Sequence, residues 1–152
     1  MSEIWKPRVV AATVIERAGR YLCVEEDIDG RRVINQPAGH LDEGETIIDA
    51  AVRETQEETA WTVQIDSLLG IYLIQTEEPG NTFVRFCFAA TALQHAPEQK
   101  LDVEIVRTHW FSHEDLLARR AQLRSELVLE AIVAYESGRR YPLEMIHAQL
   151  RQ

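Results

Sequence analysis

The chain has 152 residues, 45% of them hydrophobic, and 16 basic against 25 acidic residues give a net charge of −9. That length and apolar content suit one compact domain with one core, taken here as residues 1–152. The negative field repels nucleic-acid polymers, and no apolar run approaches the roughly 20 residues needed to cross a bilayer.

Val9–Ile15 is apolar and β-branched and reads as a strand. It is too short for a signal-peptide core, contains Thr13 and runs into Glu16 and Arg17. Arg17-Ala18-Gly19-Arg20 is a turn, Tyr21–Glu26 a second strand, and Asp27–Arg31 a polar loop; Pro37-Ala38-Gly39 then breaks the chain. A helix is expected over about Thr46–Thr59, where Thr46 and Asp49 make a capping-box-like start. Val63–Gln75 and Thr82–Leu93 follow as long strands around the turn Glu78-Pro79-Gly80-Asn81, with a shorter strand at Arg107–Phe111. Ser112 caps a helix through Arg120, Ser125 begins another ending near Gly138, and Leu143–Leu150 reads as a short final helix. Cys23 and Cys87 lie in apolar strand-like runs, so both are expected as buried reduced thiols of a cytoplasmic protein. Strands interleaved with helices imply an α/β (α+β) fold, a mixed sheet with helices on its faces.

The helix over Thr46–Thr59 conflicts with itself. At about 100° per residue, Ile47, Ala50 and Ala51 share a sector with Glu54, Glu57 and Glu58. Like charges at i, i+3 and i, i+4 repel. They gather at the helix end that the dipole disfavours for anions. They also occupy the inward-facing sector, where an unpaired charge is costly. A Glu-Glu pair on a helix is most often ordinary solvated surface, but three broken rules at one place mark a functional site. A hard divalent cation, which takes oxygen ligands, relieves all three.

Read with its spacing, the segment Gly39, five residues, Glu45, seven residues, Arg53-Glu54-Thr55-Gln56-Glu57-Glu58-Thr59-Ala60-Trp61 resembles the Nudix box, G-x5-E-x7-R-E-U-x-E-E-x-G-U with U a bulky apolar residue. Six fixed matches arise by chance on the order of once in 10^5 such chains. Thr55 stands in place of an aliphatic residue, Ala60 in place of the usual glycine, and Trp61 is a large aromatic. A left-handed helix end costs a residue with a Cβ about 1 kcal/mol, so the helix end is expected to differ here. Asn35–Leu41, Val84-Arg85-Phe86 and Gly138–Ile146 extend the resemblance to a branch of the family that acts on thiamine diphosphate or hydroxymethylpyrimidine diphosphate.

What the resemblance implies is an α/β/α sandwich in which the box, residues 39–61, forms a loop–helix–loop. Its activity would be Mg2+-dependent hydrolysis of a small organic diphosphate, with Mn2+ as a substitute ion. Glu57 and Glu58 would be metal ligands, Glu54 a further ligand or the base, and the Gly39 carbonyl would face the metal. Glu45 and Arg53 would form an ion pair holding the loop to the helix. Glu104, on the loop before Arg107–Phe111, is the candidate acid outside the box. Arg85 is the candidate phosphate contact. Tyr141 and Trp5 are ring-stacking candidates, with core packing the plainer expectation for each, and His40 is expected to make a loop hydrogen bond rather than bind metal. The expected partner is a small molecule, with the chain a monomer or homodimer. The box equally permits a nucleoside di- or triphosphate substrate. A ligand sensor on the same fold would be expected to have lost box acids, and none is lost.

Overall fold

The computed structural model describes residues 2–77 and 80–151, so Glu78 and Pro79 of the expected tight turn lie outside the described residues. The elements in chain order are β1 (Arg8–Arg17), β2 (Arg20–Ile28), β3 (Arg31–Asn35), β4 (Ala38–His40), α1 (Ile47–Thr59), β5 (Trp61–Gln75), β6 (Thr82–His95), β7 (Ile105–Phe111), α2 (His113–Ala118) and α3 (Leu127–Glu136). The strands form one mixed sheet in the order β3-β2-β1-β6-β5, with β4 added on β1 and β7 on β2. β1 and β6 run parallel from Arg8↔Phe83 to Ile15↔Ala90. β1 gives its first half to β4, at Val10↔His40 to Ala12↔Ala38, and touches β2 only at Glu16↔Tyr21 and Arg17↔Arg20.

Period-two alternation splits the core between two sheet faces. On one, Ala11, Ile15, Leu22, Leu68 and Phe88 pack with Ala50 and Ala51 of α1. On the other, Ala12, Val14, Cys23, Cys87 and Ala89 pack with Leu116 of α2 and Val128 and Ile132 of α3. The result is an α/β/α sandwich. Both cysteines are free and buried. Among the described residues no helix is long and apolar enough to cross a membrane.

Three local expectations are corrected. The polar loop at Asp27–Arg31 is a two-residue turn, since Asp29 and Gly30 both take positive φ, 52° and 83°, and β2 continues directly into β3. The break at Pro37 does not end strand structure: Ala38-Gly39-His40 pairs with β1 as β4. The final helix reduces to one 3-10 turn, Leu143–Met145, because Tyr141 just before it is extended and exchanges backbone hydrogen bonds with Leu68 (2.8 and 2.9 Å). The helix end at Ala60 has the geometry a glycine would give, φ 63° and ψ 15°, with its N–H donating to the Gln56 carbonyl. Alanine thus bears the left-handed strain rather than altering the turn.

Candidate active site

α1 begins at a full capping box: Thr46 Oγ1 accepts from Asp49 N (3.0 Å) and the Asp49 carboxylate accepts from Thr46 N (3.5 Å). Its inward stripe is Ala50, Ala51, Thr55, Glu58 and Thr59, all buried, with Glu54 and Glu57 on the flank. Thr55, in place of an aliphatic residue, is satisfied without water. Its hydroxyl donates to the Ala51 carbonyl (2.7 Å) and meets the Thr13 hydroxyl of β1 at 2.8 Å.

Gly39 is required sterically. A Cβ there would collide with the Glu54 carboxylate, so any other residue would push that side chain out of its present position. Arg53 ties the same loop down. Its guanidinium donates to both oxygens of Glu45 (2.6 and 3.0 Å), to the His40 carbonyl (3.0 Å), to Glu54 (2.8 Å) and to Glu57 (3.1 Å). With Asp42 also 3.3 Å away, one cation therefore serves four carboxylates and a backbone carbonyl. The guanidinium–Glu45 hydrogen bonds push the Arg53 pKa up and the Glu45 pKa down.

The remaining acids are undercompensated. Oxygens of Glu54, Glu57 and Asp102 all lie within 4.8 Å of one another. Burial raises the Glu54 pKa, opposed by Arg53 and reinforced by Glu57 and Asp102. Glu58 is 8% exposed; burial pushes its carboxyl up to about 9, with Glu26, Glu54 and Asp102 adding, although it accepts a hydrogen bond from Ala38 N at 2.9 Å. Glu58 thus sits beside the three-acid group, with one oxygen held by β4.

The loop acid that lies with Glu54 and Glu57 is Asp102, whereas the expected Glu104 is outside this group. Asp102 N donates to the Glu57 carbonyl (3.0 Å), and Ile105 N donates back to the Asp102 carbonyl (2.9 Å) in a tight turn. That turn fixes Asp102 against α1 and leaves Glu104 exposed, with its backbone carbonyl on Asp27 N. The sequence showed an acidic loop but not which of its carboxylates the turn directs inward.

Arg85 is 8% exposed on the sheet face that carries α3, and it donates to Gln36 Oε1 (2.9 Å). Among the described residues it has no ion-pair partner, and burial first, then Arg124, lowers its pKa. Gln36 in turn donates to the Val128 carbonyl (2.8 Å). Arg124, half exposed, pairs with buried Glu26 at 2.8 Å. His40 does not ligate a carboxylate; its ring is 6.3 Å from that of Phe83, and Arg8 lies 5.9 Å from the Phe83 centroid. Burial, Arg8 and Arg124 lower the His40 pKa. The sequence reading passed over Arg124, Phe83 and Arg8, for which no local pattern exists.

Tyr141 and Trp5 are not core residues. Tyr141 is 42% exposed at the free edge of β5, and Trp5 is 62% exposed in the N-terminal segment. Two grooves, of about 400 and 440 Å3, contain none of Glu54, Glu57, Glu58 or Asp102. The second runs between the C-terminal segment and the loop at Leu41 and Glu45.

Residues 5–131 match the NUDIX domain model. The chain is 44% identical over 144 residues to phosphatase NudJ of Escherichia coli (strain K12), covering 94% of this chain and 92% of that protein. NudJ of Shigella boydii matches to the same extent. A solved NUDIX hydrolase from Nitrosomonas europaea superposes with a TM-score of 0.92 at 42% identity, over 95% of this chain and 98% of the other. With these similarities and a box whose acids converge on one another, the chain belongs to the Nudix family and is a hydrolase of phosphorus-containing anhydrides.

Proposed function

We propose that the enzyme hydrolyses the diphosphate linkage of a small organic diphosphate, thiamine diphosphate or hydroxymethylpyrimidine diphosphate, to its monophosphate. The observation that carries this reading is the three-acid group of Glu54, Glu57 and Asp102, drawn from α1 and a separate loop, with carboxylate oxygens within 4.8 Å of one another. Hard oxygen donors in this number suit Mg2+, with Mn2+ as a substitute, and they leave positions for water and phosphate. Glu54, Glu57 and Asp102 would hold the ion, with Glu58 and the Gly39 carbonyl beside them. When bound, the metal lowers the pKa of water and neutralises phosphate charge.

The chain's own groups do the rest. Glu54 or Asp102 takes the proton from the attacking water. Burial with neighbouring anions raises the Glu54 pKa. Arg53, held by Glu45, keeps the β4 loop against α1 and so orients Glu54 rather than touching substrate. Arg85, a buried cation with only an amide partner, binds a phosphate oxygen. A cytoplasmic setting fits two buried free thiols.

The test is kcat/KM for these two diphosphates and for nucleoside di- and triphosphates at the same Mg2+ concentration. Turnover of the organic diphosphates at least equal to that of nucleotides is expected. A preference of about 100-fold for nucleotides, about 2.7 kcal/mol of discrimination, would overturn the substrate assignment.

A further inference from the structure

The phosphates account for Arg85, but not for the rings and guanidinium groups around it. Phe83 and Arg85 are two apart on β6 and therefore point to the same sheet face. β1 sets Arg8 opposite Phe83 and Val10 opposite Arg85, and β4 sets His40 opposite Val10. Backbone pairing thus lays His40, Phe83 and Arg85 on one surface. His40 is next in sequence to Gly39, about 3.8 Å between Cα atoms, and its carbonyl accepts from Arg53. The ring surface is consequently joined to the acidic cluster through one residue.

We propose that Phe83 and His40 form the platform on which the organic group of the substrate stacks, and that Arg8, which lies over Phe83, favours an uncharged planar heteroaromatic ring over a cationic one. The two rings lie 6.3 Å apart at 35° and expose part of their faces. Stacking on an aromatic face is tolerant of ring identity, so the rings alone would accept many substrates. The charges discriminate. Arg8 already lies over Phe83, and neither Arg8 nor Arg85 has a carboxylate partner among the described residues. A cationic ring directly attached to the phosphate arm is therefore held less tightly than a neutral pyrimidine or a nucleobase.

This inference rests on the diphosphate reading above, and the two fail separately because product binding is measured without turnover. Calorimetric titration with Mg2+ present would compare hydroxymethylpyrimidine monophosphate (neutral ring), thiamine monophosphate (cationic thiazolium next to the phosphate arm) and cytidine monophosphate. The pyrimidine monophosphate is expected to bind about 10-fold tighter than thiamine monophosphate, and the cytidine arm tells whether a nucleobase serves as well. Phe83→Leu should weaken neutral-ring binding about 10-fold, the order expected for one stacking face, while Phe83→Tyr retains it and inorganic phosphate binds equally to all three proteins. Arg8→Ala should narrow the gap between neutral and cationic rings. Equal or tighter binding of thiamine monophosphate to the unaltered enzyme would overturn the charge selection. Unchanged ring binding in Phe83→Leu would overturn the platform.

Discussion

The two surfaces that meet at β4 are mirror images in charge. On the α1 side, Glu54, Glu57, Glu58 and Asp102 gather with one shared guanidinium, and Glu58 is held well above the ordinary carboxylate range, at about 9. On the α3 side, Arg85 is buried with only Gln36 as a hydrogen-bond partner among the described residues, Arg124 adds to its field, and Arg8 lies over Phe83 two positions away. Each surface alone is electrostatically uncomfortable, because burying like charges without partners costs free energy. A divalent cation on the first and a diphosphate across both would resolve the two together. The lesson is that the protein does not neutralise itself here; it leaves opposite deficits side by side.

The largest expected effect tests the acidic surface. Glu57→Gln should lower turnover about 100-fold or more with the far-UV spectrum unchanged, because it removes a carboxylate oxygen from the cluster and little core contact. Unaltered turnover would remove Glu57 from the metal assignment.

Arg85→Gln tests the opposite surface. We expect kcat/KM to fall about 10- to 100-fold, the equivalent of one charge-assisted hydrogen bond of about 1.5–3 kcal/mol. The thermal midpoint should not drop, since a cation with no carboxylate partner is a cost to the ligand-free fold and glutamine can still bond Gln36. A lower midpoint with unchanged kcat/KM would make Arg85 a structural residue and break the comparison.

Arg53→Ala separates positioning from charge balance. Activity and stability should fall together, the latter by about 1–3 kcal/mol, because Glu45 loses both of its guanidinium hydrogen bonds beside the β4 loop. Loss of activity at constant midpoint would place Arg53 on the substrate.

A smaller effect reads the acidic surface by pH. The Glu58 carboxyl is raised in the folded state from 4.5 to about 9, so the folded protein holds its proton where the unfolded chain has lost it. The associated stability is complete below about pH 4.5 and declines as pH rises through about 9. The midpoint of metal-free protein should accordingly fall across that range, with the slope reduced in Glu58→Gln and by added Mg2+. An equal slope in wild type and Glu58→Gln would locate the titration elsewhere.

Much of the acidic surface was legible in the sequence. Helical periodicity placed Ile47, Ala50 and Ala51 in one sector with the glutamates, and the fixed spacing from Gly39 to Glu58 identified the box. The departures at Thr55 and Ala60 were visible, but not their accommodation. Thr55 is served by Thr13, 42 positions away, and Ala60 adopts the left-handed angles of the glycine it replaces. The opposite surface was almost illegible: only Arg85 was singled out, and nothing local marked the neighbouring rings of Phe83 and His40. Short pieces such as β4, three residues after a proline, carry too little pattern to be read.

By itself, then, the sequence determined the elements whose order is local: α1 with its capping box, the alternating strands, and the row of acids one helical turn apart, because a 3.6-residue repeat converts spacing directly into direction. Tertiary structure alone decided which loop acid joins them and which rings and cations face them. Asp102 is directed by a turn hydrogen-bonded to the Glu57 carbonyl. Arg8, His40 and Phe83 are aligned by β1 pairing with β4 on one side and β6 on the other. Such cross-strand neighbours are set by register between distant segments, and no periodicity within any one segment encodes it.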